Sequence, residues 1–246
     1  MLLEISDLSK RFGGIRALRG VDLTLGGGEV KCIIGPNGCG KSTLFNILTG
    51  VLRPDEGKVI FDGQRIDGLA AHKISRLGIG RKFQVPGILS ELTVLENIEV
   101  ASTARATLGG LWSTLFSGGD GSVYRRHLMD ADLWKYADQP ASELPHGIKQ
   151  RLEILMLVAR GSRLLLLDEP TAGMTASETN ATIQLINEIN AETGAAILVI
   201  EHDMSFVRSI GRPVAAMIRG RIVREGDYDD IQADPEVRSA YLGERA

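Results

Sequence analysis

The chain has 246 residues, of which 43% are apolar and 24% charged, and its formal net charge is −3. That length suits one sizeable core with at most an inserted subdomain, and the charge balance leaves no basic footprint for nucleic acid. Only two cysteines occur, Cys32 in an apolar run and Cys39 in a glycine-rich loop, which argues against a disulfide framework and for a reducing compartment. Met1-Leu2-Leu3-Glu4 lacks the basic start and long apolar stretch of a signal peptide. No apolar run approaches the ~20 residues of a membrane span, so any membrane role is expected to come through a partner.

In chain order, residues 2–34 read as strands broken by glycine turns at Gly13-Gly14 and Gly26-Gly27-Gly28. The last of these strands, Val30 to Ile34, runs into Gly35-Pro36-Asn37-Gly38-Cys39-Gly40-Lys41-Ser42, a complete phosphate-binding loop. A helical stretch, Leu44 to Leu48, follows and stops at Gly50. Glycines let the backbone curl until successive N–H groups point at one anion, and the helix N-terminus adds partial positive charge. Lys41 is placed to reach the β- and γ-phosphates of a nucleoside triphosphate, Ser42 to ligate Mg²⁺, and Thr43 continues the contact. Val59 to Ile66 carries Asp62-Gly63, the signal of a two-residue hairpin. Gln84 ends a short strand after Arg81-Lys82-Phe83 and is a candidate to touch Mg²⁺ or the attacking water. Residues 85–160 read as mostly helical, with a Gly/Ser-rich irregular or mobile insertion from Leu108 to Ser122.

The second half returns to alternating strands and helices, which predicts a parallel sheet covered on both faces. Leu164 to Leu167 is a buried-type strand tipped by Asp168 and Glu169. Alone, such a pair is more often a solvated turn. After a phosphate loop, Asp168 is suited to hold Mg²⁺ and Glu169 to polarise the water that attacks the γ-phosphate. Thr175-Ala176-Ser177-Glu178 reads as a capping box that opens a helix with Ile183, Ile186 and Ile189 on one face, ending near Gly194. His202 stands just past the strand Ala196 to Ile200, where a neutral imidazole can bond a γ-phosphate; a lone histidine there is otherwise a surface residue.

The order of phosphate loop, Gln84, Leu144-Pro145-His146-Gly147, acid-tipped leucine strand and His202 resembles the ATP-binding cassette (ABC) ATPase subunits from about residue 3 to 245. The resemblance implies an α/β P-loop NTPase core (RecA-like) with a parallel sheet, an N-terminal antiparallel β subdomain and an inserted helical subdomain. The core would comprise residues 1–84 and 161–246, and the helical part 85–160, all in a single cassette domain. It implies ATP and Mg²⁺ as ligands, Gln84, Glu169 and His202 as catalytic residues, and Phe12 as the aromatic that stacks on adenine. A core or turn phenylalanine is the alternative for Phe12. The loop at Leu144–Gly147 would close over ATP held by a second cassette subunit, in a homodimer or heterodimer. The other implied partners are transmembrane permease subunits, with a solute-binding protein acting indirectly and no nucleic acid. The protein would lie on the cytoplasmic face of the cell membrane. Ala172-Gly173-Met174-Thr175, Ile200-Glu201-His202-Asp203-Met204 and the terminal Asp234-Pro235-Glu236-Val237 look like importers of branched-chain amino acids, urea and short amides. Gly173-Met174-Thr175 and Phe83-Gln84-Val85-Pro86 lean to the urea/amide branch.

Two positions depart from the family loop, which reads Leu-Ser-His-Gly-Gln in this branch. Pro145 stands in place of the serine and Ile148 in place of the glutamine. Proline offers neither hydroxyl nor N–H, so unequal ATP sites are expected in a mixed dimer. A cassette protein of DNA repair or translation would show a second cassette, a coiled coil or a basic surface, and none is visible. A nucleotide switch without hydrolysis is suggested by Pro145 alone.

Overall fold

The computed structural model describes residues 1–82, 87–103, 128, 129, 131–210 and 213–242. The expectations for Gln84 and for the Leu108–Ser122 insertion therefore fall outside the described residues. Strands β1 (Leu3–Phe12) and β2 (Ile15–Leu25) pair antiparallel, with Phe12 opposite Ile15 across the Gly13-Gly14 turn. β3 (Val30–Ile34) leads through the glycine loop into α1 (Lys41–Leu48). β4 (Glu56–Phe61) and β5 (Gln64–Arg65) form the expected hairpin, with Asp62 and Gly63 at φ 49° and 76°. Two positive φ values in succession are what a two-residue turn matched to strand twist requires, and Asp-Gly supplies them cheaply. These outer strands make a four-stranded antiparallel sheet in the order β2-β1-β4-β5.

Helix α2 (Ala71–Leu77), β6 (Ile79–Arg81) and α3 (Val94–Thr103) come next, followed by α4 (His146–Ala159) and β7 (Leu164–Asp168). Then follow α5 (Ala176–Thr193), β8 (Ala196–Ile200), α6 (Met204–Ile210), β9 (Val214–Ile218), β10 (Arg221–Gly226), α7 (Tyr228–Ala233) and α8 (Pro235–Leu242). The second sheet has six strands in the order β10-β9-β3-β8-β7-β6, parallel except for β10.

The apolar runs of the second sheet are continuous because both faces are covered. Cys32, Ile34, Leu165, Leu167, Ile197 and Val199 pack with Ile98, Leu152, Ile186 and Phe206 of the surrounding helices. Their alternates Ile33, Leu164, Leu166, Leu198 and Met217 pack with Leu44 and Phe45 of α1 and with the antiparallel sheet. Each of these leucines is worth roughly 1.5–3 kcal/mol of burial. The sheet is thus fixed between two apolar layers, and its polar work is confined to the strand ends.

Helix α5 starts and stops where the sequence says. Glu178 N–H donates to Thr175 Oγ1, the Thr175 N–H donates to Glu178 Oε2, and Gly194 closes the helix at φ 64°.

Candidate functional site

Parallel neighbours end on the same edge, and here β3, β8, β7 and β6 lie side by side. Their C-terminal tips deliver the phosphate loop, Glu201 and His202, Asp168 and Glu169, and Arg81. This edge is where open α/β sheets place ligands.

The loop after β3 is pinned from below. Gly220 N–H donates to the Cys39 carbonyl at 2.9 Å, and Arg19 N–H donates to the Gly220 carbonyl at 2.8 Å. The turn between β9 and β10 therefore ties the loop to β2. Gly40, at φ 113°, caps α1, and a Cβ there would stand 2.5 Å from the Ala17 carbonyl. No other residue permits that approach. Gly38 is the converse case, because a Cβ at φ 74° would meet nothing within 4 Å and would project into open space. The loop is thus tight on its protein side and clear on its outer side, as a phosphate cradle must be. A cleft of about 800 Å³ borders residues Pro36 to Cys39 on the side of the pinning turn, where Arg19, Arg219, Arg221 and Glu236 also line it.

Lys41 is buried at 7% exposure, and its ammonium donates to the carbonyls of Gly35 at 2.6 Å and Pro36 at 3.1 Å. It lies 3.8 Å from the Cys39 sulfur. Burial raises the Cys39 thiol pKa, an effect opposed by Lys41. Ser42 is exposed and Thr43 half-buried, and no acidic residue in the first turn of α1 competes for an anion. Phe12 is 46% exposed at the hairpin tip, so it is no core residue, and the Lys10 ammonium lies over its ring, 5.8 Å from the centre.

Asp168 ends β7 opposite Ile200 and is buried, and its Oδ2 accepts from Arg81 at 2.9 Å. Glu169 leaves the strand at φ 47°, with its N–H donating to the Ile200 carbonyl at 2.9 Å. That turn sets Glu169 Oε1 3.4 Å from His202 Nδ1. The two residues picked from separate strands in the sequence therefore meet. Burial lowers the Lys82 ammonium pKa against the influence of four surrounding carboxylates, Glu153 foremost.

Two residues of the site were missed by sequence reasoning. Glu201 is buried and accepts from Thr171 through both its hydroxyl at 2.8 Å and its N–H at 3.2 Å, fastening the segment after Glu169 to the tip of β8. A carboxylate directly after five apolar residues was the signal for it. Arg81 had no comparable signal, since its partner Asp168 lies 87 positions away.

Leu144–Gly147 stand elsewhere. Leu144 is buried, and Pro145 caps α4 at φ −55° and ψ 153° without a side-chain hydrogen bond. His146 Nε2 lies 3.2 Å from the Ala172 carbonyl and 3.4 Å from Gln150 Nε2. A Cβ on Gly147 would lie 2.6 Å from the Glu178 carboxylate. The loop is thus seated against the start of α5 rather than against its own chain's phosphate loop.

The ABC transporter family pattern matches residues 18–172, and the pattern described as branched-chain amino acid ATP-binding cassette transporter matches residues 225–246. The chain is similar to the high-affinity branched-chain amino acid transport ATP-binding protein BraF of Pseudomonas aeruginosa, at 38% identity over 99% of this chain and 98% of that protein. Its fold is similar to the ADP conformation of MJ1267, an ATP-binding cassette of an ABC transporter, with TM-score 0.85 and 31% identity over 98% of both chains. A dimeric post-hydrolysis state of the cassette MJ0796, bound to ADP and Pi, superposes with TM-score 0.76 and 27% identity over 92% of this chain and 98% of that one. Sequence and fold agree along nearly the whole length, and this chain belongs to the ATP-binding cassettes of ABC transporters, a family of ATPases.

Proposed function

We propose that the chain hydrolyses ATP as one of two cassettes that drive an importer, bound through permease subunits to the inner face of the cell membrane. The observation that carries this reading is the Glu169–His202 pair, 3.4 Å apart on neighbouring strand tips beside the phosphate loop. Residues Gly35, Pro36, Asn37, Gly38, Cys39, Gly40, Ser42 and Thr43 offer backbone N–H groups to the phosphates, proline excepted. Lys41 exchanges the Gly35 and Pro36 carbonyls for phosphate oxygens, and Phe12 stacks on the adenine. Glu169 takes the proton of the attacking water, and His202 holds the γ-phosphate and orients Glu169. One hydroxyl and one carboxylate, Ser42 and Asp168, with the amide of Gln84, suit Mg²⁺, which binds by few protein ligands and by substrate phosphates. When bound, it neutralises charge that develops on those phosphates.

Leu144, Pro145, His146 and Gly147 serve the nucleotide of the opposite subunit, a reading supported by their seat away from the phosphate loop and by the dimeric cassette above. The described residues include no helix long and apolar enough to cross a membrane, which supports docking on permease subunits. BraF supports branched-chain amino acids as the solute. A solute-binding protein would deliver it. Urea or a short amide is the second reading, on Gly173-Met174-Thr175. Reconstituted complex tests both: ATP-dependent uptake of labelled leucine that excess urea leaves unchanged supports the first. Uptake of urea but not leucine overturns it, and Glu169→Gln must abolish either.

A further inference from the structure

Arg81 is the one cation that bridges β6 and α1 to the acid at the end of β7 among the contacts of the described residues. One arm of its guanidinium donates to Asp168 Oδ2 at 2.9 Å and the other to Asn46 Oδ1 at 2.5 Å. The group lies over the Phe45 ring, 5.6 Å from its centre, and the side chains of Arg81 and Asp168 are only 8% and 5% exposed. Asn46 is four residues after Ser42 in α1, so the two share one helix face. The planar fork thus registers the strand that ends in Asp168 against the helix that carries Ser42 in its first turn. A lysine, with a compact ammonium, does not hold two acceptors in such fixed directions.

We infer that Arg81 is a positioning residue that sets the spacing of Ser42 and Asp168 and thereby the affinity of the site for its divalent cation. The inference rests on the reading above that these two residues hold the cation. Arg81 occupies one oxygen of Asp168 and fixes the rotation of the carboxylate, leaving Oδ1 directed by the same constraint. It also lies at the end of β6, three residues before Gln84 in the sequence.

The test uses the full chain, a fluorescent ADP and Mn²⁺, with free Mn²⁺ read by electron paramagnetic resonance. In EDTA, Arg81→Met should bind the nucleotide within about twofold of the wild type, because the phosphate loop is untouched. Its Mn²⁺ affinity in the nucleotide complex should fall by about 10–100-fold, the usual effect of removing a group that orients a metal ligand. Arg81→Lys should recover only part of that loss. Asn46→Leu keeps the Asp168 pair but removes the helix anchor, and it should weaken Mn²⁺ binding less than Arg81→Met does; it carries the test if Arg81→Met does not fold. Unchanged or tighter Mn²⁺ binding in either variant overturns the inference. Wild-type chain that binds ADP equally with and without Mn²⁺ overturns instead the assignment of Ser42 and Asp168.

Discussion

Glu169 occupies backbone that glutamate rarely adopts, at φ 47°, and such a residue costs on the order of 1–3 kcal/mol. The strain has a use. A strand continued in extended form would alternate Glu169 away from the face of Asp168, whereas the turn delivers its carboxylate to His202 on the next strand. Glu169→Gln preserves shape and one acceptor oxygen but cannot take a proton. It should bind ATP as the wild type does and lose at least about 100-fold in turnover, the usual weight of a general base. Near-normal turnover in a phosphate-release assay would remove Glu169 from that role. Glu169→Gly separates strain from chemistry. It should be as inactive, yet melt no lower than Glu169→Gln, because relief of the left-handed backbone offsets the roughly 1 kcal/mol of chain freedom that glycine adds. A clearly lower melting temperature would mean that the contacts of a full-length side chain, rather than the backbone, dominate there.

At the level of elements, the capping box that opens α5 has a second task, because Glu178 also backs Gly147 of the Leu144–Gly147 loop, the family's signature loop. Thr175→Ala should cost about 1 kcal/mol of stability, as loss of an N-cap hydroxyl does. The box also titrates. Hydrogen bonds from the Thr175 N–H, then from its hydroxyl, hold the Glu178 carboxyl below the ordinary glutamate value of 4.5. A depressed pKa gives stability that is complete above the unfolded value and disappears as pH falls through the folded one. The gap in melting temperature between Thr175→Ala and wild type should therefore be constant near neutrality and narrow below about pH 4, where the hydroxyl loses its bond to the carboxylate but still accepts from the Glu178 N–H. A gap undiminished at pH 3 would assign the cap to the threonine alone. This box was legible from Thr175 and Glu178, as was the Asp62-Gly63 hairpin, because each depends on residues within four positions. The β-type runs were legible because burial on both faces demands uninterrupted apolar sequence. What stayed hidden depends on strand neighbours: β6 pairs with β7 and β7 with β8, and only that order makes Arg81 a partner of Asp168 and Glu201 a partner of Thr171. No local pattern encodes that adjacency. Gln84, argued from its place after a short strand, lies outside the described residues.

At the scale of the molecule, the chain carries two unlike half-sites, a phosphate loop with its acids on the sheet edge and a signature loop at the start of α4. In the dimer proposed above, a second cassette would join each to its complement. Pro145 would then leave this chain's contribution to the partner's nucleotide incomplete, since neither a hydroxyl nor an N–H is available. A lost hydrogen bond to a charged group is worth roughly 1.5–3 kcal/mol, or about tenfold to hundredfold on that site. The other departure, Ile148, is no candidate for simple reversal: it is 6% exposed among the apolar residues that cover the sheet, and glutamine there would be buried. Pro145 is different. Its φ of −55° and ψ of 153° at the N-cap of α4 are values serine adopts readily, and serine would add the capping bond that proline lacks. Pro145→Ser should therefore fold at least as stably as wild type while raising ATP turnover of the assembled transporter several-fold. The gain should appear only in the complex, because in the isolated chain the loop faces no partner nucleotide. Unchanged turnover in complex that retains its full complement of subunits would show that backbone N–H groups after Pro145 suffice, and the two ATP sites would then be equal despite the substitution.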